Sequence, residues 1–276
     1  MTGSLDSAAL ALFAVGLMLA GLFGGVIAGL LGVGGGIVIV PVLYHVFTGL
    51  GLDESVRMPL AVGTSLATII PASIRSNLSH RKRGAVDDAV LRSWLVPVVG
   101  GVILGSLVAR LIGAHGLTLI FASLALIVAV YMAFGREDWR LGPALPSGAG
   151  RAAIAGCIGF FSTLMGIGGG TFGVPIMTLF GMPIHRAVGT SAGLGFMIGI
   201  PGTIGFILSG FDAPLRPPFS LGYVSLLGFA LIVPTMWISV PWGAHLAHRL
   251  SRKALMRAFA AFLGFTSFKM FLGVFT

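Results

Sequence analysis

The chain has 276 residues, of which 56% are hydrophobic and 9% are charged, and its mean hydropathy is +1.03. A soluble domain carries about 25% charged residues, so this composition excludes a soluble globular protein and predicts a polytopic membrane protein. The net charge of +9 is compatible with nucleic-acid binding, but the basic residues cluster in short loops beside apolar segments, as in cytoplasmic loops of membrane proteins. The single cysteine, Cys157, excludes an internal disulfide and a cysteine metal cage.

Ten apolar segments follow one another along the chain, five before and five after a polar stretch. Several are longer than about 18 residues, which is enough to cross a bilayer core of about 30 Å. The segments lie near residues 8–31, 37–50, 58–79, 93–113, 117–135, 152–166, 171–182, 187–209, 220–243 and 254–275. The polar stretch, residues 136–150, predicts a cytoplasmic linker within a single integral membrane domain. It separates a first transmembrane repeat, residues 1–135, from a second, residues 151–276.

The two halves share a glycine-rich motif. Residues 32–41 read Gly-Val-Gly-Gly-Gly-Ile-Val-Ile-Val-Pro, and residues 166–175 read Gly-Ile-Gly-Gly-Gly-Thr-Phe-Gly-Val-Pro. Each copy is followed by Ala-Val-Gly-Thr-Ser, at residues 61–65 and 187–191. An internal repeat sets the architecture of a chain. Glycine interruptions at matching places in the apolar segments of two halves point to the binding site of a transporter.

Loop charge predicts that the two repeats have opposite orientations. Residues 75–92 carry five Lys or Arg residues against two Asp residues, so we place this loop in the cytoplasm. The equivalent loop of the second half, residues 209–219, has only Asp212 and Arg216 and is expected outside. Equivalent loops on opposite faces indicate inverted-topology repeats. Counting the crossings from these loops places both termini outside.

Segments 152–166 and 171–182 are each short for a full crossing, because an α-helix rises about 1.5 Å per residue. They predict a hairpin that enters from the cytoplasm with residues 166–170 at its tip. Its twin in the first half enters from outside, with residues 32–36 at its tip. The predicted fold is therefore an all-α polytopic membrane protein with two inverted-topology repeats. Each repeat has a glycine-tipped re-entrant or broken helical hairpin and three transmembrane helices.

The two glycine tips are the predicted anion site. Each glycine in a helix costs roughly 1 kcal/mol relative to alanine, so the motif favours a break. The free N–H groups and the dipole of the helix that follows attract an anion. Close helix packing is the alternative explanation, but it does not account for three consecutive glycines in both halves. The predicted substrate-binding residues are Gly34, Gly35, Gly36, Ile37, Gly63, Thr64, Ser65, Gly168, Gly169, Gly170, Thr171, Gly189, Thr190, Ser191, Arg75, Asn77 and Thr203.

The positions of the charged and imidazole side chains restrict the class of substrate that the site could bind. None of the eight carboxylates falls within a predicted span, which argues against a divalent-cation carrier and an Asp/Glu proton relay. Arg75 either lines the substrate path or snorkels to the cytoplasmic interface. His245 and His248 lack carboxylate or cysteine partners in the sequence, so no metal site is predicted, and no cofactor is predicted. A small anion held by N–H groups and hydroxyls fits this pattern better.

The paired Gly-x-Gly-Gly-Gly…Pro and Ala-Val-Gly-Thr-Ser motifs resemble those of the sulfite exporter TauE/SafE family, also called 4-toluene sulfonate uptake permeases. The resemblance runs from about Leu19 to Phe271. It implies a multi-pass permease of the bacterial inner membrane for sulfite, sulfoacetate and other organosulfonates. It also implies a substrate region formed by Gly32–Pro41, Gly63–Ser65, Gly166–Pro175 and Gly189–Ser191.

The sequence therefore predicts a secondary transporter, an exporter of small sulfur-containing anions that works by alternating access around a midplane site. An anion channel and a permease for another small organic anion are the alternatives. No Ser/His/Asp set or acid pair lies in the spans, so an enzyme is not expected, and neither is a nucleic-acid partner. The expected partners are the substrate and the lipid bilayer, while a coupling ion, Na⁺ or H⁺, and a homodimer stay open.

Overall fold

The structure, a computed structural model, describes residues 7–31, 35–134, 139–246 and 252–275. Within these ranges the chain forms nine α-helices and one short antiparallel pair of strands. The helices are α1 (Ser7–Leu31), α2 (Gly36–Gly49), α3 (Glu54–Arg81), α4 (Asp88–Phe134), α5 (Gly148–Met165), α6 (Gly170–Leu179), α7 (Ile184–Ser209), α8 (Leu226–Leu246) and α9 (Arg252–Phe275). The strands are β1 (Ser220–Leu221) and β2 (Val224–Ser225).

The helix lengths and composition are those of a membrane protein. Among the described residues, α4, α5, α7 and the Leu226–Gly243 part of α8 are long and apolar enough to cross a bilayer. Helices α1, α2, α6 and α9 contain shorter apolar stretches. Helix α3 lies at the centre of the molecule, since every residue from Met58 to Ile69 is buried. The predicted all-α polytopic fold is confirmed.

The helix boundaries agree with the predicted apolar segments except in two places. Residues 220–225 were expected to begin a span, but they form the hairpin of β1 and β2, and α8 begins at Leu226. The expected loop at residues 75–92 was too long, because α3 continues to Arg81. Helix α4 already begins at Asp88, since the Asp87 carboxylate accepts the first N–H groups of that helix.

Two further boundaries have a local cause. Gly113 divides α4 into two helical halves, because its φ of 66° and ψ of −174° cannot continue a helix; this matches the predicted division between segments 93–113 and 117–135. Helix α3 begins after Asp53, whose carboxylate accepts the N–H and hydroxyl of Ser55. These hydrogen bonds, that of the hydroxyl first, lower the pKa of Asp53 below its usual value.

The helices correspond in pairs between the two halves of the chain. Helices α1, α2 and α3 correspond to α5, α6 and α7, and the two halves of α4 correspond to α8 and α9. The halves are interlocked, since α1 packs on α8 and α5 packs on the first half of α4. Gly25 in α1 rests on the Met236 carbonyl, and Gly159 in α5 rests on the Val98 carbonyl. Small residues allow these helices to approach closely, as is typical of membrane proteins.

Equivalent helices run in opposite directions. A Cβ placed on Gly193 in α7 would lie 3.1 Å from Asn77 Nδ2 in α3, and one on Gly202 would lie 3.1 Å from Leu66 Cδ1. The contact position therefore moves towards the start of α3 as the chain advances along α7, which makes the two helices antiparallel. Because α3 and α7 are equivalents, the repeats have inverted topology.

Antiparallel α3 and α7 predict that the residues following them lie on opposite faces of the membrane. In a Cys157→Ala background, which removes the exposed native thiol, we expect Lys82→Cys and Asp212→Cys to react with a membrane-impermeant maleimide from opposite sides. Labelling is measured in intact cells and in inside-out vesicles, with detergent-solubilised protein as the control for reactivity. Labelling of both cysteines from one side would contradict the inverted arrangement.

Candidate substrate site

The second glycine motif ends one helix and starts another. Helix α5 stops at Met165 because Gly166 adopts the left-handed conformation, with φ 64°. The N–H of Gly166 donates to the Thr163 carbonyl at 3.1 Å, and the N–H of Ile167 donates to the Ser162 carbonyl at 2.9 Å. This pair of bonds is a Schellman motif, which satisfies the carbonyls of the last turn. The chain enters α6 four residues after Gly166, at Gly170.

The first glycine motif also interrupts the helix. Gly35 precedes α2 with a φ of 71°, and its carbonyl accepts the N–H groups of Val38 and Ile39 at 3.0 and 3.2 Å. A Cβ on Gly35 would lie 2.6 Å from the Gly24 carbonyl oxygen, so the break folds back onto α1. The predicted site residue Gly34 lies outside the described residues, as do Gly32 and Val33.

The two breaks meet in the interior of the protein. A Cβ on Gly36 would lie 2.6 Å from the Gly166 carbonyl oxygen and 3.0 Å from Ile167 Cα. The same Gly166 carbonyl accepts the Ser65 hydroxyl at 2.7 Å in a fully buried hydrogen bond. Ser65 is close to the middle of α3, so the two breaks meet at mid-height in the helix bundle rather than at its surface.

Each break leaves backbone groups without helical partners. The first N–H groups of a helix have no intrahelical acceptor, and the dipole makes this end attractive to anions. Pro41 and Pro175 lie inside α2 and α6. Because proline has no N–H, the carbonyls four residues earlier, those of Ile37 and Thr171, lack their helical donor. The site thus offers N–H donors at both helix starts and an uncommitted carbonyl beside each.

The first Ala-Val-Gly-Thr-Ser motif joins α3 to the hairpin of the other half. Gly63 lies against the Tyr223 carbonyl with no room for a Cβ. The Thr64 hydroxyl oxygen accepts the N–H of Ser225 at 2.8 Å. Both groups are buried. Glycine and threonine are therefore explained here by packing and by a hydrogen bond between the halves.

The second Ala-Val-Gly-Thr-Ser motif makes the equivalent contacts at the opposite end of the helix bundle, with the loop before α4. Gly189 lies against the Ala85 carbonyl, and the Thr190 hydroxyl oxygen accepts the N–H of Asp87 at 2.9 Å. The Asp87 carboxylate also pairs with Arg186, with 3.0 Å between Oδ2 and Nη2. The loop before α4 is thereby fastened to the start of α7. Each of these two sets of contacts is a joint between the halves of the chain: Gly63 and Thr64 with the β1–β2 hairpin, and Gly189 and Thr190 with the loop before α4. The two joints lie on either side of the two breaks.

Polar side chains without partners collect around the second break. The hydroxyls of Thr171 and Ser191 are buried, and neither has a hydrogen-bond partner among the described residues. Ser191 faces α6, since a Cβ on Gly173 would lie 3.1 Å from its Oγ. The Ser162 hydroxyl, in the last turn of α5, is also buried and unpartnered; the Thr203 hydroxyl is unpartnered too, but it lies further along α7, and no described contact brings it to the break. An unmet buried donor or acceptor costs about 1–3 kcal/mol, so a cluster of them points to a polar ligand.

The two equivalent serines of the Ala-Val-Gly-Thr-Ser motifs differ in whether their hydroxyls are hydrogen-bonded. Ser65 is committed to the Gly166 carbonyl, whereas Ser191 is 1% exposed and unpartnered in the described structure. The sequence predicted both as ligands of the substrate. The geometry leaves the hydroxyl of Ser191 free for that role and uses the hydroxyl of Ser65 to hold the second break.

Asn77 and Arg75 lie further along α3, away from the point where the breaks meet. The Asn77 Oδ1 accepts Arg81 Nε at 2.9 Å, and its Nδ2 is buried without a partner in the described structure. Arg75 is half-buried and places its guanidinium over the Trp237 ring of α8, with Cζ 4.6 Å from the centroid. Asn77 therefore bonds within α3 and faces Gly193 of α7, whereas Arg75 faces α8.

Comparison with known proteins identifies the family. The family model for the sulfite exporter TauE/SafE matches residues 17–270, which is nearly the whole chain. The chain belongs to the TauE/SafE family. The resemblance inferred from the doubled motif is thereby confirmed.

Curated relatives of this TauE/SafE chain carry the description of membrane transporters. A probable membrane transporter protein of Haemophilus influenzae is 37% identical over 92% of this chain and 97% of its own length. A probable membrane transporter protein of Methanocaldococcus jannaschii is 29% identical over 90% of the chain and 91% of its own length. The probable membrane transporter protein YunE of Bacillus subtilis is 28% identical over 87% of this chain and 90% of its own length. No solved structure matches the chain.

Family and fold together establish the general activity. The TauE/SafE chain is a multi-pass membrane transporter of a small molecule and not an enzyme. The carboxylates of the described residues agree with the sequence argument, because they lie in loops or at the first residue of a helix. They are Asp53, Glu54, Asp87, Asp88 and Asp212.

Sequence reasoning missed several residues around this site. Ser162 carries a detectable signal, a serine in an apolar helix four residues before the glycine break. Tyr223 and Ser225 carry none, because their contacts with Gly63 and Thr64 join segments about 160 residues apart.

Substitution of the two equivalent serines is expected to have different effects on stability. Ser65→Ala removes the donor to a buried carbonyl and is expected to lower the free energy of unfolding by about 1–3 kcal/mol. Ser191→Ala removes an unpartnered hydroxyl and is expected to leave stability unchanged or slightly raised. Thermal unfolding of the purified proteins in one detergent measures both. Equal destabilisation by the two substitutions would show that Ser191 has a structural partner.

Proposed function

We propose that this TauE/SafE protein exports small sulfur-containing anions, sulfite or organosulfonates such as sulfoacetate, across the bacterial inner membrane. The observation that carries the proposal is the meeting of two broken helices beside the unpartnered, buried hydroxyls of Thr171 and Ser191. A sulfonate or sulfite oxygen accepts hydrogen bonds, and hydroxyls and helix N-termini donate them. The family description names sulfite, which supports this substrate class.

The site favours an anion over a metal cation. The unpartnered side chains at the second break are hydroxyls, while the carboxylates of the described residues lie at helix ends and in loops. Hard divalent cations such as Ca²⁺ and Mg²⁺ take oxygen ligands, most of them carboxylates in protein sites. Gly35, Gly36, Gly168, Gly169 and Gly170 contribute backbone rather than side chains to this proposed site, and Ile37 contributes the N–H and carbonyl of the first turn of α2.

Alternating access follows from the inverted repeats. The joints around Thr64 and Thr190 lie on opposite sides of the breaks, so opening one while the other stays closed exposes the site to one face at a time. An inside-negative potential favours loss of an anion by about 2.3 kcal/mol per charge per 100 mV, which supports export. We place the linker, residues 136–150, in the cytoplasm between the repeats 1–135 and 151–276, and both termini outside.

Reconstituted liposomes test the proposal. We expect saturable flux of sulfite and sulfoacetate, faster than that of sulfate, taurine and simple carboxylates, and stimulated by a potential that drives anions in the measured direction. Linear dependence on concentration together with single-channel currents would favour a channel. Absence of flux for every sulfur-containing anion, with flux of another organic anion, would overturn the substrate assignment.

Thr171→Val and Ser191→Ala test the site itself. Each removes one hydroxyl with little change in volume, and we expect each to raise KM for the transported anion about tenfold, the effect of roughly 1.4 kcal/mol of lost hydrogen bonding. Thr178→Val, also in α6, is the matched control because its hydroxyl donates within its own helix. Wild-type KM in both site variants would exclude these hydroxyls from substrate binding.

Gly169 is less suited to this test. A Cβ on Gly169 would overlap the Leu194 side chain of α7, so loss of transport in a Gly169 variant reports on packing as well as on binding. The hydroxyl variants separate these two causes, because they leave the backbone and the helix contacts in place.

A further inference from the structure

The two joints between the halves of the chain share one pattern of hydrogen bonds. The N–H of Ser225 donates to the Thr64 hydroxyl at 2.8 Å, and the N–H of Asp87 donates to the Thr190 hydroxyl at 2.9 Å. Ser225 directly precedes α8 and Asp87 directly precedes α4. In each case the side chain also accepts the N–H of the third residue of its helix, at 3.1 Å. Ser225 and Asp87 are therefore equivalent residues of the two joints.

The two joints differ in one pair of side chains. In the joint with the loop before α4, the Asp87 carboxylate pairs with Arg186 of the other half, with 3.0 Å between Oδ2 and Nη2. Arg186 lies three residues before the glycine of its motif, and the residue at that place in the other motif is Leu60, which is fully buried. A serine, Ser225, takes the place of Asp87. In the described part of the chain, no ion pair joins α3 to the β1–β2 hairpin.

The stability of α7 does not account for Arg186. This arginine lies in the first turn of the helix, where the helix dipole disfavours a cation. Asp87, in contrast, already has a local role at the start of α4. The side chain of Asp87 is 16% exposed and that of Arg186 is 56% exposed, so their attraction is moderate and is weakened by salt. What the pair adds is an attraction between the two halves of the chain at one joint.

We infer that the Asp87–Arg186 pair holds the joint at the loop before α4 closed, and that the two joints therefore open with different ease. The inference rests on the alternating access of the proposed function, to which it adds a bias between the two states. Loop charge places this joint on the cytoplasmic side. Opening the site to the cytoplasm requires the ion pair to break, whereas the joint with the β1–β2 hairpin opens without breaking one. The pair shifts the population towards the state that is closed to the cytoplasm.

Cysteine accessibility tests the inference without a substrate. Ser191→Cys, in the Cys157→Ala background, places a thiol directly after Thr190 at a position that is 1% exposed, so a reagent reaches it only when this joint opens. A membrane-impermeant methanethiosulfonate is added to the cytoplasmic face of inside-out vesicles. We expect Asp87→Asn and Arg186→Gln each to raise the rate of labelling about threefold, and the double variant to be no faster than either.

The chain offers a matched control for these variants. Asp87→Asn removes the charge but keeps a side chain that can cap α4. Asp88→Asn removes the neighbouring ion pair with Arg81, which joins α3 to α4 within the first half, and should leave the rate unchanged. Labelling of detergent-solubilised protein shows that each variant is folded to the same extent. Equal rates in the parent and in both joint variants, or an equal increase in Asp88→Asn, would overturn the inference.

Ionic strength provides a second measurement on the same vesicles. Raising KCl from about 0.05 M to about 0.5 M shortens the range of electrostatic attraction. The parent should then be labelled faster, while Asp87→Asn should not change; a parent that does not respond to salt would contradict the role of the pair. Flux of sulfite or sulfoacetate into liposomes is measured separately. Faster labelling of the joint variants without flux of any sulfur-containing anion would sustain the inference and reject the proposed substrate. Saturable flux with unchanged labelling would reject the inference and leave the proposed function standing.

Discussion

Backbone that leaves a helix inside a bilayer must find its hydrogen bonds within the protein. Here the two glycine breaks meet this requirement mainly at their own helix ends, where Gly166 and Ile167 donate to the last turn of α5 and the Gly35 carbonyl accepts from the first turn of α2. The Gly166 carbonyl, at the end of α5, accepts the Ser65 hydroxyl and lies against Gly36 of the other break. This buried contact fastens the second break to α3 and sets it beside the start of α2 at mid-height in the bundle.

The glycines and threonines of the two Ala-Val-Gly-Thr-Ser motifs pack the halves together, and the serine that follows each threonine lies at the breaks. Gly63 and Gly189 let a loop of the other half come against α3 and α7, and the adjacent threonines bind the N–H groups of those loops. The joints therefore lie one residue away from Ser65 and Ser191, which face the breaks. In the proposed alternating-access mechanism, movement of a joint would therefore be transmitted to the surroundings of the anion site.

The sequence predicted the helices and the glycine breaks well, because apolar length and runs of glycine are local signals. It did not predict β1 and β2, since residues 220–225 continue an apolar composition. The roles of Gly63 and Thr64 were also beyond its reach, because their partners are far away in the chain. We interpreted the Ala-Val-Gly-Thr-Ser motif as a source of substrate ligands, whereas in the structure its glycine and threonine make contacts between the two halves. The ligand roles of Ser191, Thr171 and Arg75 stay predictions.

The interlocking of the halves bears on how such a chain originated. Helix α1 packs on α8, and α5 packs on the first half of α4, so each half supplies a surface that the other half completes. This is the arrangement that a half-length ancestor would leave if it had dimerised with an inverted copy of itself. Gene duplication and fusion would then have fixed the pair in one polypeptide.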